Sequence, residues 1–188
     1  MHDSVSRCHP GVLVSTGWTL EQEFEERLRE TSALAVRVAY GVLRQRQDAE
    51  DVAQEAFARA YARFAGLRDP ARFRGWIVRV TWRLAIDRWR SDRRRAAREE
   101  RAGVLGPAAT VEELADASQR ASRLWEAIDA LPDKLRIVIV LAAMEGHGVN
   151  EIGELLDIPA GTVKSRMFLA RRALAEKLTC LANDSTKR

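Results

Sequence analysis

Apolar residues recur at three- and four-residue spacing along most of this chain, the period of helices that bury one face. Leu20, Phe24 and Leu28 make the first stripe, opened by Thr19 and Gln22 in capping-box register. Leu34, Val38, Val42 and Leu43 extend or restart it after Thr31-Ser32, and the helix should end near Gln45 to Gln47. Asp48-Ala49-Glu50-Asp51 then sets acids against the positive end of a second helix, running from Ala49 to about Ala65. Its inner face is Val52, Ala56, Ala60 and Phe64, with Ala53, Phe57 and Tyr61 beside them. Gly66 to Pro70 reads as a turn, with Asp69 before Pro70 as a helix start. A long helix from Ala71 to near Ala97 follows, with Phe73, Trp76, Ile77, Val80, Leu84 and Trp89 inward.

From Ala96 to Ser118 the periodicity fades into Ala, Gly103, Gly106, Pro107 and acids, which predicts a linker and so two domains. Leu124, Ile128 and Leu131 then form a stripe that stops at Pro132. Lys134 to Glu145 is rich in Ile and Val, which suits a strand. The Leu-Pro start, the Ala142-Ala143 pair and the Gly146 stop predict a helix instead. In Val149 to Leu178, Ile152, Leu155 and Leu156 form one short stripe, and Asp157-Ile158-Pro159 breaks it. Pro159 suits the first turn of a new helix, whose buried face is Val163, Met167, Ala170, Leu174 and Leu178. The other face carries Thr162, Lys164, Ser165, Arg166, Arg171 and Arg172. This predicts a helix-turn-helix offering its second helix to a major groove; an ordinary helical hairpin with a solvated basic face is the alternative. The expected fold is all-α, with two small helical domains at residues 19–95 and 118–180. A flexible linker at 96–117 joins them, and tails lie at 1–18 and 181–188.

Charge changes this picture more than composition does. Net charge is only +4, but Arg68 to Arg101 holds 12 Arg against five acids and Pro159 to Arg188 holds seven basic residues against two acidic. The rest of the chain is therefore net −8. Two basic blocks on an acidic background point to two contacts with one polyanion. Cys8 and Cys180 have no CxxC or His partner at ligand spacing, so neither a disulfide framework nor a metal site is expected. No apolar run approaches the roughly 18 residues of a membrane span, and the first residues make a poor signal peptide. A cytoplasmic protein is the expectation.

Three groups of residues carry candidate chemistry. Asp51, Gln54, Glu55, Arg59 and Arg63 leave a fixed polar edge beside a wide apolar stripe, which suits docking on a second protein or a solvated core helix equally well. Arg72, Arg79, Arg83, Arg90, Arg93 and Arg94 project from the long helix with Trp82 among them. Guanidinium groups interleaved with an aromatic suit single-stranded nucleic acid, each stacked base being worth about 1–3 kcal/mol; Trp82 is otherwise a core residue. His147, in the Gly146–Gly148 turn, has no acidic or nucleophilic partner nearby and is expected on the surface. Three His, two isolated Cys and no Gly-rich phosphate loop or HExxH exclude the common enzyme sites.

Together DAEDVAQEAFARAYARF (Asp48–Phe64), FRGWIVRVTWRLAIDRWR (Phe73–Arg90) and LPDKLRIVIVLAAMEGHGVNEIGELLDIPAGTVKSRMFLARRAL (Leu131–Leu174) resemble the extracytoplasmic-function, or group IV, sigma factors of bacterial RNA polymerase. The resemblance covers about residues 20–95 and 118–179, and Gly161–Arg166, GTVKSR, is its most specific segment. It implies a non-enzymatic specificity subunit with no cofactor and no metal, a monomer when free. Its partners would be core RNA polymerase, promoter DNA (duplex at −35, single-stranded at −10) and an anti-sigma factor. Asp48, Asp51, Gln54 and Glu55 fall on the family's core-binding pattern. Arg68, Arg72, Arg79, Trp82, Arg83 and Arg90 fall where the family captures the −10 element. Thr162, Lys164, Ser165, Arg166, Phe168 and Arg171 fall on the helix that reads −35.

Three positions depart from the family pattern. Arg83 stands where Asn is frequent, Leu169 where Arg is frequent, and Gly148 where Ser commonly caps the first helix of the helix-turn-helix. A Gly cap costs only a few tenths of a kcal/mol, so no change of fold is expected there. A stand-alone helix-turn-helix regulator with a helical partner-binding domain explains Val149–Leu178 but leaves the Arg68–Arg101 block without a role.

Overall fold

A computed structural model describes residues 19–66, 69–101 and 115–185 of the chain. Among these every regular element is helical. The first half is a bundle of α1 (Leu20–Leu43), α2 (Arg46–Phe64) and α3 (Phe73–Arg101), each packed on the other two. The second half holds α4 (Ala115–Asp129), α5 (Asp133–Ile139), a π-helical turn (Val140–Met144), α6 (Val149–Leu156) and α7 (Ala160–Ser185). There α7 runs against α4, α5 and α6.

The starts and stops follow local chemistry. Thr19 and Gln22 form the expected reciprocal capping box, each side chain bonded to the other's backbone N–H. The helix they open runs through Thr31, whose hydroxyl is buried and donates to the Arg27 carbonyl at 2.6 Å. α1 stops at Arg44 in the left-handed region (φ 59°), where a non-Gly residue is uncommon. Asp69 accepts from the Ala71 N–H at 3.0 Å and opens a short 3₁₀ turn, Pro70–Arg72, before α3. α3 continues to Arg101, past the expected end near Ala97, because its last turns are rich in Arg and Ala, which favour helix.

The bundle core is aromatic at one end. Phe24 meets Tyr61, Phe64 and Phe73 edge-on at centroid distances of 5.1, 5.2 and 6.0 Å, and Phe64 meets Phe73 at 5.6 Å. Such pairs each add about 0.5–1.5 kcal/mol beyond burial. Small residues at Ala35, Ala39, Ala49, Ala53, Ala56 and Ala60, all buried, let α1 and α2 approach closely elsewhere.

The Ile- and Val-rich stretch is helical, as expected from its boundaries, but not uniformly so. α5 passes at Val140 into the π turn, and the His147 N–H then donates to the Leu141 carbonyl at 3.1 Å. Ile137, Val138, Val140, Leu141, Ile152, Leu155, Leu156 and Val163 belong to the same buried cluster as the first bundle's core. The two halves are therefore packed together and share apolar surface.

Candidate nucleic-acid and polymerase interfaces

The helix-turn-helix is α6 and α7. Gly148 caps α6 in an extended conformation without a side-chain bond, and the helix forms regardless. Asp157 (φ 57°) ends it in the left-handed region, and the Ile158 N–H returns to the Gly153 carbonyl at 2.9 Å. Gly153 is required by this turn, since a Cβ there would stand 2.9 Å from the Ile158 carbonyl oxygen. Pro159 precedes α7, and its carbonyl accepts from Thr162 and Val163 at 2.8 and 3.2 Å. Val163 and Ala170 are fully buried, with Met167, Leu174 and Leu178 partly so. The opposite face presents Lys164, Ser165, Phe168 and Arg171 to solvent, with Thr162 and Arg166 half-buried. Phe168 is 66% and Leu169 50% exposed, so two large apolar side chains sit bare on a basic helix. Methyl and aromatic groups in that setting suit the thymine methyl, which polar side chains cannot read.

On α2, Asp51, Gln54 and Glu55 lie on the exposed face, Glu55 paired with Arg59 at 2.6 Å. Asp48 differs from them. It is half-buried and accepts from Arg88 of α3 at 2.9 Å, so it also fastens α2 to α3.

The α3 candidates separate into three environments. Arg68 lies outside the described residues. Arg72 and Arg83 are exposed, Arg72 within 3.4 Å of Asp69. Arg79 and Arg90 are engaged with the second half: Arg79 Nη1 donates to the Leu155 carbonyl at 2.9 Å, and Arg90 pairs with Asp133 at 2.7 Å. The expectation that Trp82 projects outward is corrected, because it is 8% exposed and belongs to the shared core. α3 packs on α1 and α2 on one side and on α6 on the other, so a second of its faces is buried. A cleft of about 530 Å³ remains beside it, where Arg79, Arg83, Arg90, Lys134 and Arg166 converge from α3, α5 and α7.

His147 is also corrected. Its side chain is only 9% exposed, and Nδ1 donates to Glu151 Oε1 at 2.8 Å. Arg74 reaches the same oxygen at 2.9 Å. Burial alone would raise the Glu151 carboxyl, but the hydrogen bonds and charges of His147 and Arg74 outweigh it and hold the group below its ordinary value of 4.5.

Other contacts had no signal in the sequence pattern. Arg37 pairs with Glu145 at 2.5 Å, and Arg44 pairs with Asp129 while lying 4.7 Å over the Trp125 ring. Arg136, on α5, is 2% exposed, stands 4.5 Å over the ring of Trp89 and donates to the Asp129 and Leu131 carbonyls. Burial pushes its guanidinium below its ordinary value, while Asp129 and Asp133 pull it back.

Comparison with known proteins gives this arrangement its context. Residues 28–95 match the model of sigma-70 region 2, and residues 121–174 that of sigma-70 region 4. The chain is 35% identical over 152 residues to the ECF RNA polymerase sigma factor SigW of Bacillus subtilis, which spans 76% of this chain and 81% of the relative. It is 31% identical over 141 residues to the ECF RNA polymerase sigma-E factor of Escherichia coli, 70% of this chain and 74% of that one. Its fold is similar to CnrH solved with the cytosolic domain of CnrY (TM-score 0.57, 23% identity, 84% of this chain and 88% of that chain). It is also similar to RpoE of Bartonella quintana solved with the anti-sigma factor NepR (TM-score 0.51, 21% identity, 84% and 97%). With both regions matched in this order, and curated relatives above 30% identity along most of their length, the chain belongs to the ECF RNA polymerase sigma factors.

Proposed function

We propose that three faces of the chain divide the work of directing promoter-specific transcription initiation. The exposed acids of α2, Asp51 and Glu55, with Gln54 and the partly committed Asp48, dock on core RNA polymerase. Arg79, Arg83 and Arg90 of α3, with Arg68 and Arg72 ahead of it, take the −10 strand, and Trp82 holds that face in place from the core. Thr162, Lys164, Ser165, Arg166, Phe168 and Arg171 of α7 read the −35 duplex. The working units are residues 19–95 and 118–180, tied by 96–117. The observation that supports this division most is the separation of charge. The acidic edge of α2 and the arginine face of α3 lie on one bundle, and the basic α7 face with bare Phe168 lies on the other.

Arginines on phosphates supply affinity without sequence, so discrimination falls to the few α7 side chains that reach base edges, at about 1–3 kcal/mol for each good pair. Bond making in RNA synthesis belongs to the polymerase. The chain works as a monomer in the cytoplasm; among the described residues no helix is long and apolar enough to cross a membrane. An anti-sigma protein is a further proposed partner, by likeness to the relatives solved with theirs.

Core polymerase supplied with this chain should start transcripts at a defined subset of promoters sharing paired upstream elements. A chain carrying Asp51→Lys and Glu55→Lys should lose this together with co-purification of core. Initiation indistinguishable from core alone would sink the reading.

A further inference from the structure

The cleft of about 530 Å³ lies in the seam between the two halves, and its lining is uneven in charge. Arg79, Arg83 and Arg90 enter it from α3, Lys134 from α5 and Arg166 from α7, against the carboxylates of Asp87 and Asp133. Two of these cations are engaged within the chain, Arg79 with the Leu155 carbonyl and Arg90 with Asp133. No ion pair engages Arg83 or Arg166 among the described residues, and Arg166 is half-buried, so its charge is held beside the arginines of α3 with little water to screen it. A second cavity, of about 410 Å³, shares Arg79 and shows the contrast. There Arg72, Arg74 and Arg79 meet Glu151, Glu154 and Asp157 in equal number, so the charges balance within the chain.

The floor of the cationic cleft is apolar and fixed. Trp82, Ile137 and Leu156 line it at 8, 7 and 9% exposure and belong to the shared core. The walls are held close, because α6 meets α3 at Gly75, where a Cβ would stand 3.0 Å from the Leu155 carbonyl oxygen. The volume falls among those of pockets that hold small molecules, about 300–1,000 Å³. Cations set on three helices suit several phosphate groups in a row rather than one, and each guanidinium can hold two phosphate oxygens. A floor that includes an indole suits a flat ring at the other end of the same ligand.

We propose that this cleft binds a nucleoside di- or triphosphate, with the phosphates on Arg83, Lys134 and Arg166 and the base against the exposed edge of Trp82. Phosphate charge relieves the mutual repulsion of the cations, which Asp87 and Asp133 offset only in part. Arg83 belongs to the first half and Lys134 and Arg166 to the second, so the site is complete only in the packed chain. It stands on the cleft and not on the −10 assignment, although the two share arginines.

The test uses the full chain with ATP as the probe, at about 0.15 M salt so that diffuse attraction is screened. ATP should bind saturably at one site, raise the melting temperature as its concentration rises, and quench part of the intrinsic fluorescence. With Trp82→Phe that part of the quench should be missing. Arg83→Ala and Lys134→Ala, both at exposed positions that folding does not depend on, should each weaken binding at least about five-fold, and Arg166→Ala should do the same. Arg63→Ala and Lys177→Ala remove the same charge at exposed positions outside the cleft and should leave the affinity within about two-fold. Inorganic tripolyphosphate, lacking the ring, should bind at least about five-fold more weakly than ATP. Absence of saturable ATP binding, or equal losses from the cleft and the control cations, would overturn the site. Tripolyphosphate binding as tightly as ATP would overturn the nucleotide assignment.

Discussion

Arg136 carries its charge to a place with 2% exposure, held by the Asp129 and Leu131 carbonyls and the Trp89 ring. Removing one partner of a buried polar set leaves the others unsatisfied, which costs more than the bond itself contributes. Arg136→Ala should therefore lower the unfolding free energy by about 2–4 kcal/mol in a denaturant titration. Arg136→Lys should recover only part of it, lacking the planar guanidinium face that lies over the Trp89 ring. Glu151, a half-exposed carboxylate between His147 and Arg74, has a different signature. Its folded pKa is depressed, so its contribution is complete above the unfolded value and is lost as pH falls through the lower folded one. The stability difference between wild type and Glu151→Gln should shrink as pH falls below about 4.

At the scale of elements, the turn between α6 and α7 is the least tolerant. Gly153→Val would press a branched side chain on the Ile158 carbonyl, which a Cβ alone approaches to 2.9 Å. Duplex promoter binding should fall at least about tenfold, with a lowered melting temperature, while the capped α1 and its bundle keep their helical signal. Leu169→Arg acts on the same unit in the other direction. It places a cation on the exposed face of α7, so promoter affinity should rise and the slope of log affinity against log salt should steepen by about one. These elements were largely legible before the structure. The capping box at Thr19, the Asp157 break and the α7 stripe are local patterns, and local patterns survive in sequence. Trp82 was not legible, because helical periodicity marks one buried face and α3 has two. Nor were the ion pairs. Arg74 and Glu151 are 77 positions apart and Arg37 and Glu145 are 108 apart, so no spacing links them. The two glycines that matter, Gly75 and Gly153, look like ordinary helix interiors until the backbone opposite them is seen.

At the scale of the whole molecule, the uneven charge distribution acquires a use. The basic α3 block meets acids of its own chain, Arg74 with Glu151 and Arg90 with Asp133, and these contacts weaken with salt. The shared apolar cluster does not weaken in that way, and raised ionic strength alone should therefore open the seam incompletely. That is measurable as a partial rise in the radius of gyration with salt.

In the four ion pairs between the halves the arginine is always on α1 or α3 and the carboxylate on the second half. Of the paired arginines only Arg90 also belongs to the surface proposed for the −10 strand, so its loss would remove two kinds of contact at once, whereas loss of Asp133, Glu145 or Glu151 removes only a contact between the two halves. Changes at those acids should therefore lower the melting temperature of the free chain while leaving the exposed faces of α7 and α2 untouched.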